Sequence, residues 1–73
     1  MIYYNIKHKV PHIPFNTLMK VDRNGSVDWH MEDTSFSHNS LGHDRYFTKE
    51  EINNLPDDLK RFIQSEFCEV TRV

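Results

Sequence analysis

Three prolines cut this chain into pieces that no single helix or strand can cross. Pro11 and Pro14 stand close together after the first ten residues, and Pro56 splits the C-terminal third. Proline removes a backbone donor and restrains the residue before it, so elements end at these points. Seventy-three residues divided this way leave room for short elements and a single domain, 1–73. The chain carries no repeat, low-complexity tract or linker.

Before Pro11, Ile2, Tyr4, Ile6, His8 and Val10 alternate with Tyr3, Asn5, Lys7 and Lys9. Period-two alternation of β-branched and aromatic residues predicts a half-buried strand. Pro11–Phe15 then reads as an extended connector, with Ile13 and Phe15 as anchors. Asn24-Gly25 marks a hairpin. A three-residue loop, Arg23-Asn24-Gly25, pairs Val21 with Val27, Met19 with Trp29 and Lys20 with Asp28, with glycine at the left-handed last position. Thr17–Asp22 then pairs with Ser26–Met31, and Met19, Val21, Val27, Trp29 and Met31 face the core. Residues 32–46 show no sustained period; an irregular stretch of this length in a small domain is often functional.

The helical half is marked more sharply. Thr48-Lys49-Glu50-Glu51 is a capping box, with Phe47 and Ile52 placed as a hydrophobic staple. Asn53-Asn54-Leu55-Pro56 ends that helix early, and Pro56 suits the first turn of a second one, with Asp57 and Asp58 at its positive end. Leu59, Phe62, Ile63 and Phe67 form its apolar stripe, and Asp57 and Arg61 form an i,i+4 pair outside it. Cys68–Val73 reads as a last strand. The expectation is an α+β fold: an antiparallel sheet of three to four strands, order β-ββ-αα-β, packed against a short and a longer helix.

Composition narrows the function classes. A net charge of −2 argues against general phosphate-backbone binding. That total conceals polarity: residues 1–23 carry +3, residues 24–46 carry −3 and residues 47–73 carry −2. No run approaches a membrane span, and Lys7 and Lys9 follow Met1 without a signal-peptide h-region, so none is expected. A lone cysteine allows no internal disulfide and fits a reducing cytoplasm. Two glycines cannot build a phosphate-cradling loop, and no nucleophile motif is present; the expectation is a protein that is not an enzyme and uses no cofactor.

Five histidines raise the question of metal. His8 and His12 lie on a strand interrupted by Pro11, where that spacing does not converge, and no metal site is expected. His30, His38 and His43, with Asp44, give the alternative of a small ligand- or metal-binding module. Lys7, Lys9, Lys20 and Arg23, with Tyr3 and Tyr4 as stacking faces, give the further alternative of a weak nucleic-acid-binding regulator. Direct nucleic-acid binding is not the expectation, since lysines also deter pairing at strand edges. The leading candidate is a protein-binding surface in the acidic, aromatic stretch: Trp29, His30, Glu32, Asp33, Phe36, His43, Asp44 and Arg45.

Tyr46-Phe47-Thr48-Lys49-Glu50-Glu51-Ile52-Asn53-Asn54-Leu55-Pro56, followed by Leu59, Ile63, Glu66, Phe67 and Glu69-Val70, resembles the ends of small phage-encoded accessory proteins of low-GC Gram-positive bacteria. Anti-CRISPR inhibitors are one such anti-defence class. The absence of alanine beside many Asn, Lys and Ile residues agrees with an AT-rich genome. The resemblance implies a non-catalytic viral protein in the host cytoplasm. It would bind a bacterial host protein, for example a defence nuclease, stoichiometrically and inhibit or redirect it. An exposed strand edge pairing with its twin, giving a homodimer, is the alternative partner.

Overall fold

In the computed structural model, which describes residues 2–22, 24–31 and 45–73, the elements follow the predicted order. They are β1 (Tyr4–His8), β2 (Thr17–Lys20), β3 (Val27–His30), α1 (Lys49–Asn53), α2 (Asp57–Ile63) and β4 (Cys68–Arg72). The strands form one antiparallel sheet in the order β3-β2-β1-β4. The first strand is therefore central and lies against the last along its whole length, from Tyr4 opposite Arg72 to His8 opposite Cys68.

Ile6, Leu18, Phe47, Leu55 and Ile63 make the buried core between sheet and helices, with Val27, Trp29, Ile52, Leu59 and Cys68 packed against it. Phe47 does more than fill space. Its N–H donates to the Tyr4 carbonyl at 2.9 Å and its carbonyl accepts from the Tyr4 N–H at 2.8 Å, so its backbone extends the ladder beside β1. The next residue opens α1: the Thr48 hydroxyl accepts from the Glu51 N–H at 3.2 Å and Glu51 Oε1 accepts from the Thr48 N–H at 2.8 Å. This is the predicted capping box, and it fixes the helix to the residue that seals the core.

The hairpin departs from the expected register. Lys20 pairs with Val27, Met19 with Asp28, Leu18 with Trp29 and Thr17 with His30. The loop is four residues, 22–25, closed by the Val21 N–H on the Ser26 carbonyl at 2.8 Å. Asp22 is the cause: its Oδ1 accepts from the Asn24 and Ser26 backbone N–H groups at 2.8 and 3.1 Å, organising a longer turn than Asn-Gly alone would. Gly25 keeps the anticipated left-handed conformation, φ 88°, at the end of the loop.

A one-residue slip exchanges the faces of β2. Leu18, not Met19, lies with Trp29 on the helix side. Met19 is buried on the opposite face, and Met31 is 43% exposed rather than in the core. Two helical details also differ. Pro56 is the N-cap residue of α2 instead of lying in its first turn, and α2 ends at Ile63, which leaves Phe67 52% exposed beyond the stripe. The surface pairs are i,i+3, Asp57 with Lys60 and Asp58 with Arg61, in place of Asp57 with Arg61.

Candidate binding groove at the β3 edge

A concavity of about 640 Å³ is lined by His8, Val10, Ile13, Phe15, Asp28, Trp29, His30 and Phe62. Three rings form its floor. His8 and Trp29 meet edge-on with centroids 4.7 Å apart, and Phe62 lies 6.0 Å from Trp29 and 6.3 Å from His8, both also edge-on. Such edge-to-face packing orients the rings as well as burying them. β1 supplies His8, β3 supplies Trp29 and α2 supplies Phe62, so three separate elements each contribute one ring.

His8 also shapes the wall. Its Nε2 lies 2.6 Å from the Phe15 carbonyl and its Nδ1 lies 3.3 Å from the Val10 backbone N–H. The Val10 N–H can only donate, so Nδ1 accepts and Nε2 carries the proton given to Phe15; this tautomer is assigned from the bonding pattern. One side chain thus gathers both ends of the connector between β1 and β2. Within that connector Pro11 precedes His12 at φ 66°, the arrangement of a turn that normally favours glycine or asparagine in second place.

Held this way, the connector cannot fold its apolar residues inward. Ile13 is 47% and Phe15 51% exposed along the groove. The opposite rim wraps β3, a strand at the edge of the sheet. Trp29 faces the helices while Asp28 and His30, one residue away on either side, face the other way. Asp28 Oδ1 accepts the Trp29 backbone N–H at 2.8 Å. In the alternation set by the Val21–Ser26 bond, that N–H points off the sheet edge. The Asp28 carboxylate therefore occupies a place that a foreign strand would use.

Of the residues singled out from the sequence, Trp29 and His30 line this groove. Arg45 is half-buried and lies outside the groove. Glu32, Asp33, Phe36, His43 and Asp44 lie outside the described residues, as does His38 of the ligand-binding alternative. Among the described residues no three His, Cys, Asp or Glu side chains come together as a metal site, and no helix is long and apolar enough to cross a membrane. In the sequence, alternation sets His8 inward, Ile13 and Phe15 stand as anchors and Phe62 belongs to the helical stripe; their convergence is a property of the fold. The available signal was Pro11-His12-Ile13-Pro14-Phe15, where two prolines keep the intervening apolar residues extended.

The lysines of the nucleic-acid alternative do not form one face. Lys20 Nζ is engaged by Glu51 Oε2 at 3.0 Å and lies 5.4 Å from the centre of the Phe47 ring, on the helix side of the sheet. Lys7 lies on the other side, and Arg23 is outside the described residues. Burial pushes the Cys68 thiol up from its ordinary value, the reverse of what a nucleophilic thiolate requires. Comparison with protein-family models, with curated proteins and with solved structures finds no match for this chain.

Proposed function

We propose that this chain is a non-catalytic binding protein that acts in a bacterial cytoplasm by stoichiometric contact with a host protein, inhibiting or redirecting it. The His8–Trp29–Phe62 groove is its docking surface. The observation that carries this reading is the pair Ile13 and Phe15, each about half exposed beside an aromatic floor. Apolar side chains held out of the core by a hydrogen-bonded connector are anchors in search of a partner. Asp28 at the rim specifies the occupant further: an apolar side chain of the partner, flanked by lysine or arginine. The phage accessory proteins that residues 46–70 resemble support the choice of a host target.

The test is capture from a bacterial lysate with wild type and with Phe15→Glu and Trp29→Ala, each shown folded by circular dichroism, beside Lys49→Glu on the far helix as a control. Wild type and Lys49→Glu retain the same protein. The groove variants weaken its binding by about thirtyfold, the effect of losing one hot-spot side chain of ~2 kcal/mol. Equal retention by all four, or no retained protein, overturns the reading.

A further inference from the structure

The two edges of the sheet are finished differently. On β3 the Asp28 carboxylate takes an outward N–H. On β4 nothing comparable is present among the described residues. The Lys9 N–H on the Phe67 carbonyl at 2.7 Å and the Val73 N–H on the Tyr3 carbonyl at 2.9 Å fix which residues of the last strand bond to β1. In the antiparallel register, Glu69, Thr71 and Val73 face β1 with their backbone groups, Phe67 contributes its carbonyl there while its N–H goes to Ser65 Oγ at 3.3 Å, and Val70 and Arg72 direct N–H and C=O away from the sheet. Cys68 spends its N–H on the Ser65 carbonyl at 3.3 Å and leaves its C=O outward.

Every residue from Glu69 to Val73 is exposed, and Val70 and Val73 are 42% and 65% so. The strand holds no proline, no lysine and no bulge, and its charges are one of each sign, Glu69 and Arg72. We infer that the β4 edge is the interface of a homodimer, in which two copies pair β4 with β4 antiparallel about a two-fold axis at Val70 and join their sheets into one.

Charge and side-chain complementarity select that axis. Only registers that set outward residues opposite outward residues form the ladder. An axis through Glu69 would put the two Glu69 carboxylates face to face. The axis through Val70 instead sets Glu69 against Thr71 of the second copy, Cys68 against Arg72, and Val70 against its own twin. It also brings Phe67 opposite Val73 of the second copy. Both are strongly exposed in the single chain. One register thus pairs the outward backbone groups, covers three exposed apolar residues and separates the like charges. The inference rests on β4 alone and not on the groove at the opposite edge.

Sedimentation velocity across the micromolar to millimolar range reads the association directly, and amide exchange reads its register. The wild type is expected to dimerise with concentration. The Val70 and Arg72 amides should become protected only as it does, while those of Glu69 and Thr71 are protected at every concentration. Val70→Lys sets two ammonium groups opposite each other and yields a monomer with an unchanged circular dichroism spectrum. Thr71→Glu faces Glu69 of the second copy in two symmetric pairs and weakens the dimer about tenfold, whereas Thr71→Lys tightens it. A wild type that stays monomeric overturns the proposal. So does a dimer that survives both Val70→Lys and Thr71→Glu, or one in which the Val70 and Arg72 amides still exchange freely.

Discussion

Lys20 donates its ammonium to Glu51 across 3.0 Å, joining the hairpin to the first turn of α1 over thirty-one residues of sequence. Glu51 serves two structures at once, one carboxylate oxygen closing the capping box and the other receiving the lysine. Burial by itself would raise its carboxyl, but the Thr48 N–H and the Lys20 ammonium outweigh that and hold it below its ordinary value of 4.5.

A carboxylate held low in the folded chain contributes stability above its unfolded value and loses it as pH falls through the folded one. Stability should therefore decline on acidification from about pH 4.5 downward. Asp22, held low by the Ser26 hydroxyl and by backbone N–H groups, adds to the same slope. In Glu51→Gln the decline should be shallower, because the group that titrates is gone. Urea unfolding at a series of pH values measures this; identical slopes for the two proteins would refute the linkage.

His8→Ala removes the side chain that holds both the Val10 N–H and the Phe15 carbonyl, and takes away one ring of the groove floor. The expected loss is ~2–3 kcal/mol, from two broken bonds and a small cavity. His8→Gln, which can restore a donor to Phe15, should recover part of it. Trp29 fluorescence should change in both variants, because its edge-on neighbour is altered.

His12 occupies a left-handed conformation that a side chain disfavours by ~1 kcal/mol or more. His12→Gly relieves it and gives back a smaller amount through the more flexible unfolded chain. The net gain expected is about 0.5 kcal/mol, visible as a modest rise in thermal midpoint. A loss of stability would show that the His12 side chain makes a contact of greater value.

Asp28→Ala leaves the Trp29 N–H uncapped at the β3 edge. Folding stability should shift by no more than about 0.5 kcal/mol, as at most surface positions. Self-association through β3 should rise, because an open N–H there invites a strand. Light scattering of the variant beside the wild type, both carrying Val70→Lys to silence the other edge, separates this effect from pairing at β4.

What short-range physics determines is legible in the sequence. The alternation of residues 2–10, the Thr48–Glu51 box and the interruption at Pro56 each depend on neighbours within a turn or a strand, and each element lies where they place it. The hairpin register escaped because Asn24-Gly25 specifies a tight turn while Asp22, two residues upstream, specifies a longer one. Which wins depends on Leu18 and Lys20 finding Trp29 and Glu51, contacts set by the whole fold. The groove escaped for the same reason. Trp29 and His30 were legible as candidates, but His8, Phe15 and Phe62 join them only through the β1–β2 connector and the placing of α2. Arg45, adjacent in sequence to Asp44, lies outside the groove.

The pairing of the first strand with the last also sets a clock on biosynthesis. β1 leaves the ribosome well before its long partner, Cys68–Arg72, which begins sixty positions after His8. Until then β1 has a single registered pair with β2, Lys7 opposite Thr17, and the bridge from Tyr4 to Phe47. Contacts this distant in sequence close late and slowly. A nascent chain that has not yet reached Cys68 has a hairpin and two short helices with no completed sheet to hold them, and is open to proteolysis.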